Sequence, residues 1–208
     1  MRPSVVRVCV VLVGLAMGFG GVGQWEAMAG GTMYWTDVGI HKIQRVNLDG
    51  TGVQDLIPTG LNTPRGIALD VAGGKMYWTA SPPKIQRANL DGTGVQDLVT
   101  TGLSNPGGIA LDVAGGKMYW VDSTTGKIQR ANLDGTGVQD LITRGLRIPW
   151  GIALDVAGGK MYWTDAGSGK LQRANLDGTG VEDLVTTYSS GPMKGGGQRY
   201  GIALATTQ

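Results

Sequence analysis

The sequence is poor in three residue types that build reactive centres or cores: it holds one cysteine, one phenylalanine and one histidine in 208 residues. A single thiol excludes an internal disulfide, and a single imidazole excludes any site built on paired histidines. Charge of one sign is also lacking, with 18 Lys+Arg against 16 Asp+Glu and a formal net charge of +2. Such a balance carries no polyphosphate footprint, so nucleic acid is not an expected partner. What the chain does have is 37 glycines without a collagen triplet, and 41% hydrophobic residues. That is too apolar for disorder and sufficient for one domain with a core.

The first 29 residues read as an address. Arg2 and Arg7 give a basic start, and Val8 to Met17 is an apolar run too short to span a bilayer as a helix. A Gly-rich stretch then ends in Ala27-Met28-Ala29, a small-x-small cleavage signal. The expectation is a cleaved signal peptide over 1–29 and a mature domain over 30–208 with no membrane span. An uncleaved anchor is the alternative, which the Gly-rich break and the small-x-small site oppose. Cys9 lies inside the apolar run rather than at its end, which argues against a lipoprotein. The expected location is secreted, either extracellular or periplasmic. Cleavage would remove Cys9, so the mature domain could host neither thiol chemistry nor a Cys-ligated metal.

A repeat of about 42 residues organises the remainder. Tyr-Trp pairs recur at Tyr34-Trp35, Tyr77-Trp78, Tyr119-Trp120 and Tyr162-Trp163, at spacings of 43, 42 and 43. GIALDVAGGKMYW stands unaltered at 66–78, 108–120 and 151–163, and KIQRANLDGTGVQDL is identical at 84–98 and 127–141. Each unit reads as four short strands: 66–70, 75–79, 84–90 and 95–100 in the second copy. Ala72-Gly73-Gly74 and Asp91-Gly92 supply the turns, the latter because both residues tolerate positive φ. Helical periodicity is absent from the mature chain. Met76, Tyr77 and Trp78 in succession require a sheet covered on both faces. Four-stranded sheets covered by identical neighbours around an axis make a β-propeller, with small GIAL strands innermost and polar KIQR and VQD strands at the rim.

These units resemble the YWTD repeat, also called the low-density-lipoprotein-receptor class B repeat. Tyr34-Trp35-Thr36-Asp37 and Tyr162-Trp163-Thr164-Asp165 match the signature in full, while Tyr119-Trp120-Val121-Asp122 and Tyr77-Trp78-Thr79-Ala80 each depart by one residue. The resemblance covers about residues 32–205. It implies a propeller with extracellular binding roles rather than catalysis. The family usually has six blades, and this chain supplies four. The fold class expected is therefore all-β: a propeller of four four-stranded antiparallel blades.

The termini suggest how such a ring closes. The mature chain begins at a second strand, Thr32 to Thr36, and ends in Tyr200-Gly201-Ile202-Ala203-Leu204, an inner strand with no unit after it. Pairing these N- and C-terminal strands would complete the fourth blade and hide two sheet edges. An open arc that pairs with a second chain, as an eight-bladed dimer, is the competing reading, so monomer and homodimer both stand.

Meander parity places the A–B and C–D turns on one side and the B–C and D–A loops on the other. The first set is monotonous, with DVAGGK three times and NLDGTG four times. The second differs in every copy: 38–41, 81–83, 123–126 and 166–169 between B and C, and 62–65, 104–107, 147–150 and 189–200 between D and A. Function sits on loops held by a rigid scaffold, so this side is the candidate for docking a protein, peptide or glycan. Relaxed selection on exposed loops is the equal alternative. The residues just before the inner-strand Gly are Arg65, Gly107, Trp150 and Tyr200, which should ring the mouth of the axis. The candidate ligand-binding set is Arg65, Trp150 and Tyr200, bordered by His41, Arg147 and Arg199.

Other chemistry is weaker. Asp37, Asp122 and Asp165 end their B strands towards the variable side and invite a Ca²⁺ reading. The preferred reading is structural pairing with Arg45, Arg130 and Arg173 or with Lys42, Lys127 and Lys170, and Ala80 breaks the series. Asp-Gly-Thr-Gly lacks both the Ca²⁺-loop spacing and a following helix, so it reads as a hairpin turn. His41 has no nucleophile to serve. No catalytic residue, metal or cofactor is expected. The alternatives to a binding module are an assembly module whose blades associate between chains and, behind it, a Ca²⁺-dependent hydrolase or lyase.

Overall fold

The computed structural model describes residues 8–13, 31–186 and 201–204. Among them all regular structure is β, in four antiparallel sheets of four strands. The first sheet runs β1 (Val8–Val13), β2 (Thr32–Asp37), β3 (Lys42–Asn47) and β4 (Gln54–Ile57). The second holds β5 (Ile67–Asp70), β6 (Lys75–Ala80), β7 (Lys84–Asn89) and β8 (Gln96–Val99). The third holds β9 (Pro106–Asp112), β10 (Lys117–Asp122), β11 (Lys127–Asn132) and β12 (Gln139–Ile142). The fourth holds β13 (Pro149–Asp155), β14 (Lys160–Asp165), β15 (Lys170–Asn175) and β16 (Glu182–Thr186). Each sheet is a propeller blade in simple up-and-down order, and the inner strands β1, β5, β9 and β13 neighbour one another in sequence.

Local chemistry sets these boundaries. Asp91 Oδ1 accepts the Thr93 amide at 2.9 Å and its hydroxyl at 2.6 Å, while Gly92 takes φ 89°. A β-branched residue could not adopt that φ without strain, so the hairpin needs its glycine. On the other turn, Asp70 Oδ1 accepts the Gly73 amide at 2.7 Å. The same bond recurs at Asp112–Gly115 and Asp155–Gly158.

Three apolar cores join consecutive blades. Tyr34, Ile43 and Ile57 of the first blade pack on Ile67, Met76 and Trp78 of the second. Tyr77, Ile85 and Val99 then meet Ile109, Met118 and Trp120, and Tyr119, Ile128 and Ile142 meet Ile152, Met161 and Trp163. Each blade thus offers a Tyr/Ile/Val face forwards and a Met/Trp face backwards, which is why its central strand carries contiguous large residues. Trp78, Trp120 and Trp163 are fully buried, and their indole N–H groups donate to Gln86, Gln129 and Gln172 at 3.1, 3.0 and 3.0 Å. A buried indole needs that acceptor.

One expectation is corrected. Among the described residues, Gly201–Leu204 does not pair with Thr32–Thr36. The inner edge of β2 is taken by β1, with Val10 opposite Trp35 just as Ile67 stands opposite Trp78. Val8–Val13 is mostly β-branched and competes well for a vacant apolar strand position. With that edge filled, residues 201–204 form no strand. The proposed cleavage site Ala27-Met28-Ala29 and Tyr200 lie outside the described residues. No apolar core joins the fourth blade to the first among the described residues.

Candidate binding face

The variable side is held by the aspartates that end the B strands. Asp122 is fully buried and accepts backbone N–H groups from Ser104 (2.7 Å), Asn105 (3.1 Å), Thr124 (3.1 Å) and Thr125 (3.0 Å). One carboxylate thereby fixes the D–A loop entering its blade and the B–C loop leaving β10. Burial alone would push its carboxyl up, but the four amides outweigh it and hold the group below the usual carboxylate range. Asp165 repeats the arrangement with Arg147 (2.7 Å), Ile148 (3.0 Å), Gly167 (3.0 Å) and Ser168 (3.1 Å). Asp37 accepts from Gly39 at 2.7 Å and Ile40 at 3.2 Å.

The role is structural, as expected, but the partners differ. Lys127 and Lys170 reach outwards to Asp140 at 2.7 Å and Asp183 at 2.6 Å, and Lys42 pairs with Asp55. Arg45, Arg130 and Arg173 donate to Gln54, Gln139 and Glu182. The strand-terminal carboxylates are taken by loop amides, while the strand-C cations pair with residues of the outer strand.

Arg65 and Trp150 are brought together, although they come from the second and fourth blades. The Arg65 guanidinium lies 5.9 Å from the Trp150 ring centroid, within the range of a cation–π contact. Its Nη1 also donates to Asn105 Oδ1 and to Pro106 O at 3.2 Å, so it reaches across the third blade. Gly107 makes this possible: a Cβ there would lie 3.3 Å from Trp150 Cε3 and 3.0 Å from its carbonyl oxygen. The motif threonines position the same ring of residues. Thr36 Oγ1 donates to Arg65 O, and Thr79 Oγ1 donates to Gly107 O at 2.6 Å.

His41 is exposed at φ 57°, and its Nδ1 accepts the Thr63 amide at 3.2 Å. Arg147 is exposed, its backbone amide held by Asp165. Arg199 and Tyr200 lie outside the described residues. Sequence reasoning missed Asn105, whose Oδ1 receives Arg65 and whose Nδ2 donates to Ser123 Oγ at 2.6 Å. It also missed that Gly107 serves by its lack of a side chain. The order of mouth residues, Arg65, Gly107 and Trp150, held that signal, since a glycine between two large neighbours leaves room for them to meet.

The low-density lipoprotein receptor repeat class B family matches the chain at residues 31–71, 74–113, 116–156 and 159–186. Low-density lipoprotein receptor-related protein 5 of Mus musculus is 42% identical over 70 residues, which are 34% of this chain and 4% of that protein. Nidogen of Drosophila melanogaster is 39% identical over 51 residues, 24% of this chain and 4% of that one. The chain therefore spans only a small part of the curated relatives it matches. A chain in the crystal structure of a nidogen/laminin complex superposes with a TM-score of 0.71 at 34% identity, covering 76% of this chain and 62% of that one. A putative TolB from Agrobacterium tumefaciens shares the fold alone, with a TM-score of 0.62 at 18% identity over 74% of this chain and 61% of the other. Four matched repeats, each folded as one four-stranded blade, place this chain in the low-density lipoprotein receptor repeat class B family of β-propellers.

Proposed function

We propose that this chain is an exported binding module that docks a protein, peptide or glycan on its variable side, without catalysing a reaction. The observation that supports this reading is the Arg65–Trp150 pair, assembled from two blades across the bare backbone of Gly107 in a third. A cation over an indole gives a ligand one apolar surface and one positive edge. An acidic group beside an apolar or sugar-ring face would meet both. Trp150 is the anchor of the site, Arg65 its electrostatic partner, and Tyr200, His41, Arg147 and Arg199 its proposed border. The similar chain of known structure belongs to a nidogen/laminin complex, which supports a macromolecular partner here too. Residues 1–29 are proposed to be a leader that directs export; its cleavage would take β1 out of the first blade and free the inner edge of β2.

Arrays of immobilised acidic peptides and of glycans test the reading. Wild-type chain is expected to bind a subset, and Trp150→Ala to lose about tenfold or more in affinity, the effect of a hot-spot truncation. Its unfolding curve should stay close to wild type. Undiminished binding by Trp150→Ala would reject the site. The second reading, assembly between chains, is favoured by the end blades.

A further inference from the structure

The same repeat residues are buried in the inner blades and uncovered at the ends. Val99 and Ile142 are 4% and 5% exposed, while their counterpart Val185 is 45% exposed. Tyr77 and Tyr119 are buried and Tyr162 is only half-buried; Ile85 and Ile128 are fully buried and Leu171 is not. At the opposite end, Met33 and Trp35 are half-buried where Met76, Met118, Met161, Trp78, Trp120 and Trp163 are fully buried. Among the described residues, then, no blade packs on the forward face of the fourth blade or on the backward face of the first.

The polar fittings of these faces also match. At the inner interfaces Arg87 Nη1 donates to Leu133 O and Arg130 Nη1 to Leu176 O, both at 3.2 Å into the following blade. The counterparts at the ends are Arg173 on the fourth blade, whose Nε and Nη2 bind Glu182 of its own blade, and Leu48 on the first, 49% exposed. Gly92, Gly135 and Gly178 sit so close to the carbonyls of Leu56, Leu98 and Leu141 that a Cβ would fall 2.2–2.5 Å from them. Their counterpart Gly50 has nothing within 4 Å of its Cβ position, and the matching carbonyl belongs to Leu184, a residue 40% exposed. Arg45, Arg87 and Arg130 each bear electrostatically on the turn aspartate of the next blade, Asp91, Asp134 and Asp177, which leaves Arg173 and Asp49 as the remaining pair.

We infer that the forward face of the fourth blade (Tyr162, Leu171, Val185, Arg173) docks the backward face of the first blade (Met33, Trp35, Leu48, Gly50) of a second copy of this chain. The contact would continue the three interfaces already built inside the molecule, using the same residue types in the same register. It is heterologous, so two copies joined once still offer one open face each, and growth continues unless the ring closes. This inference is independent of the Arg65–Trp150 site, which lies on the loop side rather than on these blade faces.

Sedimentation velocity of the full chain over a wide concentration range tests it. Wild type is expected to associate with rising concentration. Val185→Glu and Met33→Glu should each weaken association by roughly tenfold or more, since each buries an uncompensated charge. The two variants keep opposite faces intact, so an equimolar mixture should form a 1:1 dimer and stop there. Circular dichroism and tryptophan emission confirm that each variant is folded. A wild type that is monomeric at every concentration would overturn the inference. So would association that both substitutions leave untouched, or a mixture that fails to dimerise. A monomeric wild type in which Val185→Glu lowers the melting temperature sharply would show that the chain's own residues cover the face, and would also overturn it.

Discussion

The two sides of the propeller differ in what their loops are made of and agree in how they are held. On the turn side, sequence and hydrogen bonds are both constant: Asp49, Asp91, Asp134 and Asp177 each accept an amide at 2.9 Å and a threonine hydroxyl two residues on. On the loop side the sequences share almost nothing. Yet Asp122 and Asp165 hold STTG and AGSG, and SNPG and RIPW, through the same four amides at 2.7–3.1 Å. A carboxylate that binds backbone rather than side chains lets residues vary without moving the chain. Variation is therefore cheap on the loop side, and a scaffold of that kind can present different side chains at one fixed mouth.

Removing the loop-side scaffold should have the largest effect. Asp122→Ala removes a buried carboxylate that ties two loops through four amides, a loss of about 3 kcal/mol in urea unfolding. A loss no larger than that of Asp134→Ala would erase the contrast between the sides. The pH dependence sharpens it. The folded Asp122 carboxyl is held below its unfolded value near 3.9, so its contribution is complete above that value and is lost as pH falls through the lower folded value. Asp122→Asn should flatten acid unfolding in that window.

Gly107→Ala comes next. Its Cβ would press on Trp150 O and the Trp150 ring, costing about 1–3 kcal/mol as overpacking does. It should also separate Arg65 from Trp150 and weaken ligand binding. Stability and binding both unchanged would mean that the mouth has slack, and that the glycine between the two large residues is incidental. The smallest effect belongs to Asp134→Ala, on an exposed hairpin whose glycines already set the backbone. Its unfolding midpoint should move little, and a large shift would show that the turn aspartates bear on the packing between blades.

Most of the fold could be read before the structure. Repeats of GIAL, KMYW and KIQR fix strand order because each demands a different depth in the blade, and Asp-Gly marks the hairpins. The partner of the first blade's edge was not legible. Val8–Val13 carries both an export-like pattern and strong strand propensity, and periodicity alone does not rank an apolar leader against a distant GIAL copy for the same place. At the site, parity brought Arg65 and Trp150 to one mouth. Asn105 escaped because its bond to Arg65 spans 40 residues and two blades. Sequence pairs the aspartates with cations because opposite charges stand beside them in the ladder, whereas the loop amides that hold them leave no mark in sequence.

The proposed function requires the loop side to be the binding surface. Calorimetry with the strongest peptide or glycan from the arrays, run on wild type, Trp150→Ala and Asp91→Ala, compares the two sides in one measurement. The expected result is a loss of about tenfold or more for Trp150→Ala and wild-type affinity for Asp91→Ala. Full affinity in Trp150→Ala with a loss in Asp91→Ala would contradict the account, because the ligand would then be docking on the turn side.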